Sequence, residues 1–313
     1  MAPLDRRRFL HLSAAAGIGA AAAGVVGYSA LQPDDGAWTR WLPDQPEATS
    51  DTENGTFRGY RLGATDYTDI RRYESELPAE FFERYRDMFG RIPGPEFVAI
   101  RRFVNVPSGV VVTGDVDRSA VEGRFEGSGS EDSPFDFEPD GTYRGFSVYV
   151  SQASSLGAAV GDRAVVYGPT PSRQSEDATA PTFEAVIDTR LGDRPRYYSD
   201  DPVAFTALRR LDGATLFSLV DWRRGGEGGA ADNGRVGEDG AEVLLAGQST
   251  AIRGERTDVT RLRVYPDAIA ADEADRDEWK REVRKEADEV EGLSVSRTGR
   301  LLELTGTRPT DSL

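Results

Sequence analysis

Phe97-Val98-Ala99-Ile100-Arg101-Arg102-Phe103-Val104-Asn105-Val106-Pro107-Ser108-Gly109-Val110-Val111-Val112-Thr113-Gly114 is the stretch from which the fold is read. Two runs rich in β-branched and aromatic residues are joined through Pro107-Ser108, the layout of a hairpin, and residues 119–125 beyond them read as a short helix. The acidic turn Thr113-Gly114-Asp115-Val116-Asp117-Arg118 links strand to helix. In it Asp117 is placed to accept hydrogen bonds from the first exposed amides of that helix.

Working outward, residues 127–141 form a polar loop, 143–150 and 163–167 read as strands, and 182–191 as a helix. Upstream, 57–62 alternates like a strand. Pro78 then opens a helix whose Phe81, Phe82, Tyr85, Met88 and Phe89 share one apolar face before Gly90 and Pro93 end it. A stripe at that spacing is read as core rather than as an aromatic ligand cleft. Downstream come a helix at 202–211, a strand at 215–221, and a hairpin of 243–252 with 259–265. A long helix at 272–291 then buries Trp279, Val283, Ala287 and Val290 and is capped by Gly292. The final hairpin, 293–305, turns at Thr298-Gly299. Strand pair, helix, strand pair thus occurs twice. This order predicts an α+β fold, antiparallel sheets with helices packed on one face, in two related modules at 57–211 and 212–313.

At the N-terminus Arg6-Arg7-Arg8-Phe9-Leu10 opens an uncharged run that extends to Gln32. This stretch resembles a twin-arginine translocation signal, in which two arginines, any residue, phenylalanine and leucine follow a small polar residue; Asp5 and His11 depart from the pattern at its loosest positions. The resemblance implies that Arg6, Arg7, Phe9 and Leu10 address the chain to the twin-arginine translocation machinery. It also implies export in the folded state, with residues 1–32 a signal or an N-terminal membrane anchor. The span is long enough to cross a bilayer if left uncut. Gly17-Ile18-Gly19-Ala20-Ala21-Ala22 fits a dinucleotide fingerprint, yet no strand precedes it, and it reads as membrane-facing small residues. Residues 33–56 read as a linker punctuated by Pro33, Pro43 and Pro46. Trp38 and Trp41 interrupt that linker, either as anchors at the membrane interface or tucked against the domain edge. Asn54-Gly55-Thr56 is a glycosylation sequon that export would place outside the cell.

The chain carries 54 acidic and 38 basic residues, a net charge of −16, and its lysines are Lys280 and Lys285 alone. This balance resembles that of haloarchaeal proteins, where surface carboxylates hold water and cations in concentrated salt. Molar salt shortens the screening length to roughly 3 Å, so the self-repulsion of such a charge is suppressed there. Nucleic acid is an unsuitable partner, because phosphate binding needs a basic stripe and none is present.

There is no cysteine, and the one histidine, His11, lies in the signal. The exported part therefore lacks serine–histidine and cysteine–histidine catalysis and zinc sites of the usual kind, and no cofactor is expected. Carboxylate chemistry and oxygen-ligated cations remain. Asp136-Phe137-Glu138-Pro139-Asp140-Gly141 matches the first half of a calcium loop, with Asp136, Glu138 and Asp140 as ligands, but Ser147 stands where the bidentate glutamate belongs. The Gly-rich segment 224–240 has no lysine after a glycine and reads as a solvated hairpin tip or linker, not a phosphate cradle. Two functions are compatible with this inventory. One is an exported, envelope-associated, non-catalytic protein binding a partner or ligand in high salt. The alternative is a hydrolase, such as a glycosidase, working with a pair of carboxylates.

Overall fold

Val110, Val111 and Val112 form an unbroken apolar run, and all three are buried. A strand that is apolar on both sides needs cover on both faces, and this requirement organises the molecule. The computed structural model describes residues 38–44, 49–52, 55–58, 60–79, 81–83, 93–107, 109–128, 136–151, 156–170, 182–224, 242–286 and 289–313.

Strands β1 (Thr49–Thr52) and β2 (Gly55–Arg58) pair as a small separate hairpin. The other strands are β3 (Tyr60–Asp66), β4 (Ile100–Val106), β5 (Gly109–Gly114), β6 (Phe137–Tyr143), β7 (Phe146–Ser151), β8 (Leu156–Val160) and β9 (Ala164–Pro169), followed by β10 (Leu216–Asp221), β11 (Leu245–Arg253), β12 (Arg256–Val264), β13 (Glu291–Thr298) and β14 (Leu301–Pro309). They make one sheet of 12 strands in the order β13-β14-β12-β11-β10-β3-β4-β5-β9-β8-β7-β6. Every neighbouring pair in it is antiparallel.

Helices α1 (Tyr67–Arg72), α2 (Arg118–Glu126), α3 (Phe183–Leu191), α4 (Pro202–Leu211), α5 (Ala268–Glu273) and α6 (Arg276–Glu286) divide between the two sides. Phe183, Val186 and Ile187 of α3 and Ala204, Ala207, Leu208 and Leu211 of α4 join Trp38, Trp41 and Leu42 in one core with Leu62, Val104, Val111, Val166 and Leu219. On the opposite face, Tyr67 and Ile70 of α1 and Val121 and Phe125 of α2 pack on Val110, Val112, Tyr149 and Tyr167. Ala271 of α5 and Trp279 and Val283 of α6 pack on Leu302 and Leu304.

The expected α+β architecture is therefore corrected. The protein is mostly β, and in place of two modules with helices on one face there is a single antiparallel sheet with helices on both. The sheet runs unbroken through the expected module boundary, because β10 pairs with β3. Further corrections have local causes. Part of the expected polar loop is β6, an outermost strand, where Pro139 costs little because one side of the strand has no partner. Strand β8 was not expected from its small residues, but a Cβ on Gly157 would lie 2.8 Å from the Phe183 ring, and one on Gly161 2.6 Å from Phe146. Gly157 in the strand and Gly161 just past it thus make room for neighbouring rings. The long helix expected at 272–291 is split into α5 and α6, with Asp275 accepting from the amides of Asp277 and Glu278 as the second begins. Asp117 caps α2 as expected, accepting from Ala120 N at 3.1 Å. Tyr85, Met88, Phe89 and the Gly-rich segment 225–240 lie outside the described residues.

Candidate functional site

Asp221 and Arg308 are the charged side chains buried among the described residues, at 0% and 5% exposure. Asp221 ends β10, and the turn of 3-10 helix Trp222–Arg224 folds Arg223 back onto it. Asp221 Oδ1 accepts from Arg223 N at 3.1 Å and Nε at 2.8 Å, while Oδ2 accepts from Nη2 at 2.6 Å and from the Tyr197 hydroxyl at 2.7 Å. The same guanidinium meets Asp201, with Nη2 2.9 Å from Oδ2. Asp201 is itself the N-cap of α4 and accepts from the amides of Val203 and Ala204, both at 3.0 Å, ahead of Pro202 in the first helical turn.

Aromatic packing closes the other side. Tyr197 stacks on Tyr60 with ring centroids 4.1 Å apart, and Tyr60 donates to the Pro43 carbonyl at 2.8 Å. Tyr197 N donates to the Leu42 carbonyl and Asp44 N to the Pro195 carbonyl. Trp38 Nε1 reaches Asp212 at 3.4 Å. Part of the segment read as a linker is thus tied to the charge cluster. Trp38 and Trp41 are buried rather than displayed.

The electrostatics follow from this arrangement. Burial raises the Tyr197 hydroxyl well above its ordinary value, and the Asp221 charge pushes it further. Burial alone would lower Arg223, but its bonds to Asp221 and the charges of Asp221 and Asp201 raise it. Burial likewise works against the Asp201 anion, yet the Ala204 amide and Arg223 hold its carboxyl below the usual range. The cluster is one cation between two anions, with both oxygens of Asp221 occupied. Chemically it holds a strand end, a helix start and the 38–44 segment together. Breaking a buried pair of this kind by removing one partner costs about 3–5 kcal/mol.

The sequence reading did not single out these residues. A signal was present in Asp201-Pro202, the start of a helix, and in Asp221-Trp222-Arg223, opposite charges two apart at a strand end. The residues it did single out lie elsewhere. Arg6, Arg7, Phe9, Leu10 and Asn54 are outside the described residues. Asp136 directly precedes β6 and accepts from Ser151 Oγ at 2.6 Å, and Glu138 and Asp140 are exposed along β6. An extended strand spreads alternate residues about 6.6 Å apart instead of wrapping them round an ion. Among the described residues no group of three or more acidic side chains is placed to hold a metal. Ser147 is engaged with Glu122 and Arg118, at 2.6 and 2.8 Å.

Among the described residues no helix is long and apolar enough to cross a membrane. No family model and no curated protein matches the chain. Among solved structures it is similar to TP0453. Crystal form III has a TM-score of 0.47 at 9% identity, over 81% of this chain and 92% of that one. Crystal form I has 0.45 at 10% over 81% and 91%, and form IV 0.44 at 9% over 88% and 96%. Likeness at that level assigns this chain no activity.

Proposed function

We propose that this is a non-catalytic protein of the cell envelope, exported folded by the twin-arginine translocation machinery and binding a partner or ligand outside the cytoplasm in concentrated salt. The observation that carries the reading is the state of Asp221 and Asp201. A carboxylate-dependent hydrolase needs one acid poised to give a proton and another free to act as base or nucleophile, with substrate between them. Here the space between the two carboxylates is filled by Arg223, which bonds both. The paired arginines at Arg6-Arg7 support export, and the net charge of −16 supports a saline setting.

The test is fractionation of cells expressing the full chain. The protein should be found outside the cytoplasm, and replacing both Arg6 and Arg7 by lysine should retain it inside. Cytoplasmic location of the unaltered chain would sink the export half of the proposal. Turnover of a chromogenic glycoside that Asp201→Asn abolishes would sink the non-catalytic half.

A further inference from the structure

Arg308, the second buried charge, stands on β14 opposite Thr257 of β12, so the two side chains share a face of the sheet. Among the described residues its Nε and Nη2 have no hydrogen-bond partner. Thr257 is committed elsewhere: the Thr310 hydroxyl donates to the Gly254 carbonyl at 2.5 Å, so the Thr257 hydroxyl donates into Thr310 at 2.9 Å. Arg261, four residues along β12 on the same face, adds a second positive charge, and Glu289 is the acid whose field reaches Arg308. Burial lowers the Arg308 guanidinium pKa, Glu289 opposes that, and Arg261 adds to it. An arginine nevertheless stays protonated in a protein. Among the described residues, Glu289 and Arg261 are the charged groups whose fields reach Arg308.

We propose that the Nε–Nη2 edge of Arg308 binds a small monovalent inorganic anion, chloride. Two parallel N–H donors on one planar edge form a fork suited to a single acceptor atom or a compact anion. Size argues for the ion over a ligand carboxylate, because Arg308 is 5% exposed. The neighbouring backbone is equally close: a Cβ on Gly306, between Arg308 and Leu304 on the same strand face, would lie 2.8 Å from the Glu291 carbonyl oxygen. Chloride is also the abundant counterion of a saline setting, so the site would be filled where an acidic protein of this kind works.

Bromide in place of chloride tests the assignment directly. In crystals of the full chain soaked in bromide, an anomalous peak is expected beside Nε and Nη2 of Arg308 and is expected to vanish in Arg308→Met. A water at that position, or no peak, overturns the proposal. In solution, thermal melts at constant ionic strength with gluconate exchanged for chloride should show a saturable rise of about 5 °C for the unaltered protein at a hundredfold excess over Kd. Arg308→Met should give a flat response. Arg308→Lys, which keeps the charge and loses the fork, should need at least about tenfold more chloride. If Arg308→Met does not fold, the lysine variant and the bromide map decide. An identical chloride response in the unaltered and lysine proteins overturns the proposal, and so does a bromide peak without a saturable melt, which marks an adventitious ion only.

Discussion

Asp221 and Arg308 are both buried charges at the end of a strand, and they have been solved in opposite ways. Asp221 has each oxygen satisfied by Arg223 or Tyr197, with Asp201 balancing the far side of the guanidinium. Arg308 keeps two guanidinium nitrogens without a hydrogen-bond partner among the described residues. The difference lies in what the neighbouring chain supplies. Around Asp221 three separate segments deliver polar groups, namely the turn after β10, the start of α4 and Tyr197. Around Arg308 the same sheet face delivers Val259, Gly306 and another arginine. A buried charge with partners in the chain is a clamp, and one without them is a site for something the chain does not encode.

Neutral substitutions at the two arginines should therefore act with opposite sign, and the largest effect belongs to the clamp. Arg223→Met should destabilise by about 3–5 kcal/mol, because it strands Asp221 as a buried, half-paired anion. A melt in molar salt that moves by less than about 2 °C would show that the cluster is not holding the fold. Tyr197→Phe removes one hydrogen bond to the same carboxylate and should cost about 2 kcal/mol in denaturant titration. In chloride-poor buffer, Arg308→Met should be neutral or stabilise by about 1–2 kcal/mol, since it removes a charge held without a partner. A loss as large as that of Arg223→Met would place a partner at Arg308 from within the chain.

A smaller effect is read from the pH response of Asp201. The folded-state value of Asp201 is held below its ordinary one, so its contribution is complete above the unfolded carboxylate pKa near about 4 and is lost as pH falls through the folded value. Asp201→Asn, which keeps an N-cap, should cost about 1 kcal/mol at neutral pH and shrink the loss of stability between about pH 5 and 2. Asp69 and Asp258 are pushed up by burial, so their protonation works the other way and the acid limb reports the net. An unchanged acid limb in the variant would remove Asp201 from the clamp's pH response. The smallest effect is expected at Asp136, just before β6, and at the exposed Glu138 and Asp140 on it. Replacing Asp136, Glu138 and Asp140 by their amides should shift stability by under about 0.5 kcal/mol, with no saturable response to calcium in melts of either protein. Stoichiometric calcium binding lost in that variant would restore the cation site.

Much of the chain's local structure is legible in the sequence. The hairpin of β4 and β5, helix α4 and the Asp117 cap follow from β-branched runs, an Asp-Pro helix start and a strand-to-helix turn, all of which act over a few residues. Where the reading failed, the deciding contact was distant. Pro139-Asp140-Gly141 signals a turn in any sequence, and only a place at the border of the sheet lets it be strand β6. Leu156-Gly157-Ala158-Ala159-Val160 carries little strand signal because the smallness of Gly157 serves Phe183, as that of Gly161 just beyond serves Phe146. The unbroken Val110-Val111-Val112 run, buried on both sides of the sheet, carries a signal of double cover that the order of elements hid.

Composition and short-range pattern by themselves determined that the described part of this protein contains no histidine or cysteine, that it is acidic, and that segments such as β4, β5 and α4 extend or coil as they do. These properties depend on residue identity and on neighbours within one or two turns. Only the tertiary structure decided that strands β3 to β14 join into one sheet with helices on both faces, that Asp221 meets Arg223 and Tyr197, and that Nε and Nη2 of Arg308 have no hydrogen-bond partner among the described residues. Charge–charge energy depends on distance and on exclusion of water. Both are set by residues far apart in sequence, such as Asp201 and Arg223 or Thr257 and Arg308, that only the pairing of strands brings together.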